Sequence, residues 1–342
     1  MTRTLTIRQA GPALTVQDLG RTGFLAQGLT KGGAADTLAL HEGAALLGQP
    51  ATHAAIEMVG AGGSFTADTD LRIALTGASM TASIEGAPLA WNASHLLVAG
   101  AKLTIGGAIG GTYGYLHVGG GIATAPILGS RSSHLSAGLG TALKSGDALE
   151  IGADEQADTG MKLTRDTRFD GGTVRVVASM QTEHFTSESR DRFTRTEFRR
   201  DPRANRQGVR MDQDGDGFFA DGQLSIVSEV IVPGDIQITG DGSPFVLMCE
   251  CQTTGGYPRI GTVIPSDLPR VAQAPTGSRI QFEFVTREKA IELETRAHNE
   301  RKGLARRVTP LIRDPATIRD LLSYQLVSGA ISATADTFNE EA

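Results

Sequence analysis

Short runs of alternating hydrophobic and polar residues recur along the chain and predict a mainly β protein. In the first half, the alternation is clear at Leu71, Ile73 and Leu75, and again at Leu103 and Ile105. In the second half it recurs at Val174/Val176, Leu224/Ile226, Val230/Val232, Ile236/Ile238 and Ile280/Phe282/Phe284. Turn-forming pairs such as Pro233-Gly234 lie between the runs. Many short strands at this spacing are typical of a barrel or a sandwich.

Helical signals are few and lie at both ends of the chain. Asp36 is a suitable N-cap for a helix over residues 37–47, which Gly48 would end. The highly charged segment 287–307 is predicted to be helical. A last helix is predicted over residues 314–326, because Asp-Pro fits the N-cap and first helical position.

Composition narrows the class of protein. The chain has 342 residues, with 40% hydrophobic residues, 20% charged residues and a net charge of −6. The hydrophobic content excludes a disordered chain, and the mild acidity argues against a nucleic-acid partner. Its 43 glycines follow no three-residue repeat, which excludes collagen, and they fall mostly between the predicted strands.

Charge density divides the chain in two. Residues 1–160 carry 8 basic and 12 acidic groups, whereas residues 161–342 carry 24 and 26. The polar segment 152–172 between them is predicted to be a linker. We therefore expect an N-terminal glycine-rich β domain over 1–160, a second β domain over 173–290 and a helical C-terminal extension over 291–342.

The sequence favours a cytoplasmic protein without a membrane segment. Residues 103–130 contain no Lys, Arg, Asp or Glu, but their many glycines indicate buried strands and turns instead of a membrane helix. The N-terminal residues lack the hydrophobic core of a signal peptide. Cys249 and Cys251 are best interpreted as two buried thiols in a reducing compartment.

The densest polar segment begins at Glu250 and ends at Arg259. If the strand before it continues, alternation places Cys249 and Cys251 on one face and Glu250 and Gln252 on the other. The following Gly-Gly turn carries further polar side chains, so it suits a small polar ligand. The alternative is an ordinary turn that carries polar side chains and binds no ligand.

Two other polar segments carry weaker signals. Residues 190–210 hold eight arginines, of which Arg206 and Arg210 are candidates to clamp a carboxylate or phosphate; a solvated, partly helical segment is the alternative. Asp212, Asp214 and Asp216 fit the start of a calcium loop, but Gln223 stands where such a loop needs Glu, so a polar turn is preferred. The sequence contains no nucleotide-binding loop and no metal-site motif.

A series of motifs, specific in this order, resembles one known family. They are residues 15–23 (TVQDLGRTG), 32–36 (GGAAD), 56–60 (IEMVG), 75–78 (LTGA), 119–122 (GGGI), 128–132 (LGSRS), 234–237 (GDIQ), 252–260 (QTTGGYPRI) and 267–268 (DL). The chain resembles the allophanate hydrolase subunit 2 proteins, also called KipA-like proteins, 5-oxoprolinase C subunits or biotin-dependent carboxyltransferase family proteins. The carboxyltransferase region of urea carboxylase is similar too, and the resemblance covers about residues 11–290.

The resemblance implies two β-barrel-like domains, the second of them cyclophilin-like. It implies a subunit of a heteromeric enzyme acting on a small amide or lactam, first of all an ATP-dependent 5-oxoprolinase that converts 5-oxoproline to glutamate. Its partners would be a subunit 1/KipI-like protein, which resembles the B subunit of 5-oxoprolinase, and a protein that resembles the A subunit. ATP or carboxybiotin would then come through those partners, with no cofactor bound by this chain alone.

The resemblance and the polar chemistry together nominate the site residues. The catalytic candidates are Glu57 and Glu250 as general base and Arg206 as anion clamp. The substrate-binding candidates are Gln17, Arg21, Asp36, Arg131, Ser132, Gln181, Gln252, Thr253, Thr254, Gly256 and Tyr257. Asp18 is expected to be structural.

Two departures from the family pattern leave alternatives open. Relatives commonly have Ser-Asp-Arg-Met-Gly where this chain has Ala-Asn-Arg-Gln-Gly at 204–208, and an Arg of theirs is replaced by Cys251. The usual Gly-Pro before Gln181 is Ser-Met here. A biotin-dependent carboxyltransferase acting on urea or a related acceptor is the second interpretation, and a non-catalytic KipA-like regulatory protein is the third.

Overall fold

The structure is a computed structural model that describes residues 3–222 and 227–312. The predicted Leu224/Ile226 strand and the predicted helix over 314–326 lie outside these residues. The strands in the first part of the chain are β1 Arg3–Gln9, β2 Leu14–Gln17, β3 Ala55–Val59, β4 Ser64–Ala67, β5 Leu71–Ile84, β6 Ala87–Pro88, β7 Ala93–Leu97, β8 Lys102–Val118, β9 Ala148–Ile151 and β10 Met161–Lys162. The remaining strands are β11 Gly172–Val177, β12 Phe198–Arg200, β13 Gly208–Asp212, β14 Glu229–Val230, β15 Asp235–Ile238, β16 Pro244–Leu247, β17 Thr254–Gly255, β18 Arg259–Val263, β19 Arg279–Phe284 and β20 Thr309–Pro310.

Strands β1–β10 and β20 form one sheet of 11 strands. Its centre is the long antiparallel pair of β5 and β8, and β8 also pairs with β3 and β4. Isolated bridges from Ile122 to Ala54 and to Ile151 connect the region around β3 with the edge strand β9. The uncharged segment 103–130 therefore consists largely of β8 and the turns after it, as predicted.

The second sheet is a closed barrel of seven strands in the order β11-β18-β15-β16-β13-β12-β19. Val174, Ile236 and Ile280 from the alternating runs are fully buried in it. Phe193 and Phe282 stack there with their ring centroids 4.9 Å apart. The mainly β fold with a barrel is thus confirmed. The small strands β14 and β17 pair with each other beside the barrel.

Four α-helices complete the described residues: α1 Thr37–Leu47, α2 Ser187–Arg195, α3 Leu268–Gln273 and α4 Arg287–Lys302. The prediction for α1 is confirmed at both ends. The Asp36 carboxylate accepts a hydrogen bond from the Ala39 N–H, and Gly48 ends the helix with φ +62°, which favours glycine. The predicted helix over 287–307 is also confirmed, with a change to 3₁₀ geometry at Leu304–Arg307.

The segment 152–172 runs from the first sheet to the barrel and also contributes one strand, β10, to the first sheet. β10 pairs with β7 on one side and with β20 on the other. The Asp154 carboxylate accepts two hydrogen bonds from the Arg72 guanidinium, at 2.7 and 2.8 Å. Polar contacts to distant residues hold this segment, and a polar composition alone does not reveal them.

The sheet and the barrel share a hydrophobic core. Ala34, Ala39 and Tyr115 of the first sheet region belong to the same buried cluster as Val174 and Phe193 of the barrel. The Gln273 amide at the end of α3 also donates to the Tyr113 carbonyl in β8 at 2.8 Å. The two units are therefore packed against each other along a continuous junction.

Candidate functional site

Arg206 lies at the junction and joins the two units through its guanidinium group. Its Nε donates to Glu250 Oε1 at 2.6 Å, and its Nη2 donates to the Gly33 carbonyl at 2.6 Å. Its Nη1 donates to Glu57 Oε1. These bonds bring the three predicted catalytic residues together. Three of the five guanidinium N–H groups are used, which leaves two without a partner among the described residues.

Glu57 is fully buried in β3 and makes contacts through both carboxylate oxygens. Oε2 accepts hydrogen bonds from the Ala35 N–H at 2.8 Å and from the Tyr115 hydroxyl at 2.7 Å. The same hydroxyl accepts from the Asp36 N–H at 2.9 Å. Glu57 therefore fixes Arg206 and the start of α1, and neither oxygen is exposed. We call Glu57, Tyr115, Arg206 and Glu250 the junction cluster.

Asp36 connects the junction to a second buried ion-pair network that the sequence did not reveal. Its Oδ2 accepts from Arg168 Nε at 2.7 Å and from the Gln273 amide at 2.8 Å. Arg168 also makes two bonds to Glu42, at 2.8 and 2.6 Å. Asp36 is predicted to bind substrate, but in the structure it caps α1 and pairs with Arg168. Both of these contacts are structural.

Glu250 and His134 lie close together on the other side of Arg206. Glu250 Oε2 accepts from the Ser136 N–H and hydroxyl, both at 3.2 Å, and lies 3.8 Å from His134 Nδ1. His134 Nε2 is 2.9 Å from the Thr30 hydroxyl oxygen. The sequence shows no evident partner for His134, because its proximity to Glu250 comes entirely from the fold.

Four of the predicted binding residues lie around one loop of the first unit. Asp18 fixes that loop by accepting from the Ser132 hydroxyl at 2.5 Å and from the Arg131 N–H at 2.7 Å. Arg21 Nη2 donates to the Ser132 carbonyl, and the Gln17 amide donates to the Ser133 carbonyl at 3.0 Å. Arg21 Nη1 and Gln17 Oε1 are buried without hydrogen-bond partners among the described residues.

The predicted alternation after β16 fails at Cys249. The strand ends at Leu247, and the Cys251 N–H donates to the Met248 carbonyl in a turn. As a result, Glu250 and Gln252 do not share a face: Glu250 contacts Arg206, whereas Gln252 lines a cavity. The prediction that they lie side by side was therefore wrong, because it extended the strand through a turn.

That cavity, of about 230 Å³, opens beside the barrel. It is lined by Gln207, Ile231, Gln237, Thr239, Phe245, Leu247, Cys251, Gln252 and Tyr257. We call these nine residues the amide pocket, because three of them carry carboxamides. Gln207 and Cys251 are the chain neighbours of Arg206 and Glu250, so the pocket adjoins the junction cluster.

The other predicted residues of this segment lie around the pocket. The Thr253 carbonyl accepts from the Ile231 N–H at 3.0 Å, and Thr254 lies in β17, where it pairs with Val230 of β14. Gly256 is half-buried between β17 and Tyr257. Tyr257 is about half exposed, with 49% of its surface accessible. Of these four residues, Tyr257 lines the amide pocket, at its exposed rim.

Gln181 is held by its own neighbours. Its Oε1 accepts from the Arg259 N–H at 2.9 Å, and its Nε2 donates to Glu229 Oε2 at 3.0 Å. Arg259 in turn pairs with Glu229 and with Asp235, the latter at 3.3 Å. Gln181 therefore connects Glu229 of β14 with Arg259 of β18.

Charge interactions define the protonation states at the junction. Burial opposes the charge of Arg206, but the neighbouring Glu57 and Glu250 raise its pKa well above the ordinary value. Burial also opposes ionisation of Glu250, yet Arg206 prevails and the pKa of Glu250 is lowered. Burial, with Arg21 and Arg206 nearby, lowers the pKa of His134 although Glu250 opposes this. At neutral pH the cluster therefore holds ionised Glu250 and Arg206 beside a neutral imidazole.

The two cysteines are free thiols with raised pKa values. Burial raises the pKa of Cys249 to about 11 and that of Cys251 to about 12. A nucleophilic role needs the thiolate, so at neutral pH neither residue is a nucleophile.

The described residues show neither a metal cluster nor a membrane helix. Within 3–222 and 227–312, no group of three or more His, Cys, Asp or Glu side chains is placed to hold an ion. Asp214 of the predicted polar turn pairs with Arg199 at 2.6 Å, and Gln223 lies outside the described residues. In the same part of the chain, the helices are too short or too polar to cross a bilayer.

Comparison with known proteins gives consistent matches. The family described as "Carboxyltransferase domain, subdomain A and B" matches residues 27–284. The chain is 33% identical to the 5-oxoprolinase C subunit of Escherichia coli over 312 residues, covering 86% of this chain and 99% of that protein. It is 25% identical to urea amidolyase of Lachancea kluyveri over 84% of this chain but only 17% of that longer protein.

A solved structure confirms the fold. The crystal structure of Kluyveromyces lactis urea amidolyase superposes with a TM-score of 0.79, at 22% identity, over 91% of this chain and 21% of that one. At this identity the likeness concerns the fold alone. This chain therefore corresponds to one region of the much longer urea amidolyase.

Proposed function

The chain belongs to the family of the carboxyltransferase domain, subdomain A and B, and on that basis we propose that it is the C subunit of a heteromeric 5-oxoprolinase. In this function it takes part in the ATP-dependent conversion of 5-oxoproline to glutamate. The observation that carries the proposal is its similarity to the C subunit of Escherichia coli over nearly the whole length of that protein. The similarity to urea amidolyase is weaker and covers a small part of that protein.

Partner subunits complete the proposed enzyme. We propose a subunit 1/KipI-like protein, equivalent to the B subunit of 5-oxoprolinase, as the direct partner. A protein equivalent to the A subunit would supply the ATP chemistry. The sequence carries no nucleotide-binding loop, which supports this division of labour. We place the assembly in the cytoplasm, in keeping with the two free thiols.

The geometry supports distinct roles for the three junction residues. We propose Arg206 as the anion clamp, because two of its N–H groups remain for an oxyanion beyond those held by Glu57, Glu250 and Gly33. Glu250 is the better candidate for the base, since its Oε2 makes two longer bonds to Ser136. Glu57 would position Arg206, because both of its oxygens are occupied.

Co-expression with the two partner subunits tests the proposal. The assembly should release glutamate from 5-oxoproline only when ATP is present. Glu250→Gln should reduce turnover by about 100-fold or more while the heteromer still forms. An assembled complex that shows no ATP-dependent glutamate release would refute the oxoprolinase function.

Carboxyl transfer is the second candidate, favoured by the similarity to urea amidolyase. Carboxybiotin would then come from a carrier on a partner, and the acceptor would be urea or a related amide. Transfer of labelled bicarbonate to urea by a biotin-dependent assembly would support this function. If Glu250→Gln and Arg206→Ala left every activity unchanged, the chain would instead be a regulatory binding protein of the KipA-like kind.

A further inference from the structure

We propose that the amide pocket is a subsite for an uncharged cyclic amide, which pairs through both its carbonyl and its N–H with the carboxamide of Gln237. The inference rests on the proposed function for the choice of ligand, since that function requires a small amide or lactam. The recognition itself follows from the contents of the pocket.

Gln237 carries an uncommitted carboxamide in the wall of this pocket. It lies in β15 with only 7% of its surface exposed. Its Nε2 is buried and has no hydrogen-bond partner in residues 3–222 or 227–312. Because a buried polar group without a partner destabilises a fold by about 1–3 kcal/mol, an incoming polar ligand would satisfy this group.

The pocket is electrically neutral, which selects against a charged group inside it. None of its nine lining residues that the structure describes is charged. Arg206 and Arg259 are not among the lining residues. Arg206 pairs with Glu57 and Glu250 in the junction cluster, and Arg259 pairs with Glu229 and Asp235. A carboxylate or phosphate placed inside would lack a counter-ion, so the pocket suits an uncharged part of a ligand.

The carboxamide of Gln237 matches a cyclic amide in geometry. In a primary carboxamide the carbonyl and one N–H point the same way, and a ring forces the same arrangement on a lactam or a cyclic urea. Two such groups form a pair of parallel hydrogen bonds. An open-chain secondary amide is trans, so its carbonyl and N–H point apart and only one bond forms.

The remaining walls suit the methylene groups of a small ring. Ile231, Phe245 and Leu247 supply apolar surface. Gly255 makes room for the amide: a Cβ atom at this position would lie 2.5 Å from Gln237 Nε2 and 3.0 Å from Ile231 Cδ1. Gly255 is the first residue of the family's Gly-Gly pair before Tyr257. The short distances to Gln237 and Ile231 explain why a residue without a side chain stands there.

Two ligands of the proposed functions share this chemistry. The lactam ring of 5-oxoproline and the ureido ring of biotin both carry a carbonyl and an N–H on one side. The test therefore measures the binding of five probes to the full chain by ligand-observed NMR and calorimetry. The probes are pyrrolidinone, 5-oxoproline, biotin methyl ester, N-methylpyrrolidinone and N-methylacetamide.

The expected result is that pyrrolidinone binds, while N-methylpyrrolidinone, which lacks the N–H, and the open-chain N-methylacetamide bind at least about tenfold more weakly. Gln237→Met should weaken pyrrolidinone binding by about tenfold or more. Gly255→Ala should do so too, because its new Cβ displaces the amide. The matched control is Gln281→Met on the exposed face of β19, which should bind like the unmodified chain.

Competition experiments with the other two cyclic probes show which ligand supplies the ring. Competition by 5-oxoproline would support a substrate lactam, and competition by biotin methyl ester alone would support a carrier-borne ureido ring; both support the subsite. If correctly folded Gln237→Met binds pyrrolidinone as tightly as the control, or if no cyclic probe binds, the inference is overturned even for an active complex. Conversely, an inactive complex whose pocket binds pyrrolidinone through Gln237 would refute the oxoprolinase function alone.

Discussion

The junction cluster and the amide pocket share two chain segments, 206–207 and 247–252. These segments are hydrogen-bonded to each other beyond the ends of β13 and β16, through Met248 N–H to the Gln207 carbonyl at 2.9 Å and Glu250 N–H to the Arg206 carbonyl at 2.8 Å. In the cluster the carboxylates of Glu57 and Glu250 are both paired with Arg206. In the pocket the groups are neutral, and the most buried amide has no partner among the described residues.

This difference separates two tasks. Charged groups at the junction pair with one another across the sheet and the barrel, which holds the two units together. In the pocket the Gln237 amide nitrogen has no partner among the described residues, which is the state expected where a ligand completes the hydrogen bonding.

Removing the cation of the junction cluster should have the largest effect on stability. Arg206→Met leaves Glu57 and Glu250 buried without their shared guanidinium, so we expect a loss of about 3–5 kcal/mol in the free energy of unfolding. Denaturant unfolding at neutral pH measures it. Arg296→Met is the control, because Arg296 and its partner Glu300 are both exposed at the surface. Equal stability of the two variants would contradict the role of the cluster.

The second way is to place a charge where the pocket has none. Gln237→Glu buries a carboxylate without a cation, so its pKa should rise above about 4.3 and stability at neutral pH should fall by about 3 kcal/mol. The loss of stability should be absent below about pH 4.3 and should grow as the pH rises toward the raised pKa. Unfolding of this variant from about pH 3 to about pH 8 measures the window, with exposed Gln281→Glu as control. A loss independent of pH would show that shape, not charge, is responsible.

The third test removes one charge from the cluster. Glu250→Gln should cost about 2 kcal/mol at neutral pH, because a hydrogen bond between two ions is replaced by a weaker one. The pKa of Glu250 is lowered in the fold, so its contribution is present above about 4.3 and disappears as the pH falls through the lowered value. The difference in stability between Glu250→Gln and the unmodified chain should therefore shrink below about pH 4.3, whereas the loss for Gln237→Glu should develop above it. Exposed Glu155→Gln should show no such trend.

The smallest expected effect concerns the hydroxyl that joins Glu57 to α1. Tyr115→Phe removes the bond to Glu57 at 2.7 Å and the bond from the Asp36 N–H at 2.9 Å. We expect a loss of about 1–2 kcal/mol, measured by thermal or denaturant unfolding. Tyr257→Phe at the pocket rim serves as the comparison and should be nearly neutral. A neutral Tyr115→Phe would mean that the hydroxyl is not part of the junction's support.

The sequence predicts the parts of this molecule that depend on local rules. The start and end of α1 follow from Asp36 and Gly48, and the strands follow from alternation. The three junction residues could be chosen because they lie in motifs of a known family and carry suitable groups. Their contact could not be inferred, since Arg206 and Glu57 are 149 positions apart and no local pattern relates them.

The errors have a common physical origin. Arg168 lies in a segment whose polar composition predicts a linker, yet it is buried because Asp36 and Glu42 neutralise it from positions 132 and 126 residues away. Gln252 is predicted beside Glu250 only if alternation continues through the turn at 248–251. Gln237 stands in a family motif, but an unpaired amide is a property of the packed structure and has no signal in the sequence.

The pairing of β10 with β20 sets an order of events during synthesis. Residues 309–310 cover the outer edge of β10, so the first unit receives its final strand only after the whole barrel has left the ribosome. Until then the edge of β10 is open on the nascent chain, and exposed edges promote pairing with other chains. The half of the protein that is made first is thus the half that is finished last, and a chain that stops before residue 309 is released with this edge uncovered.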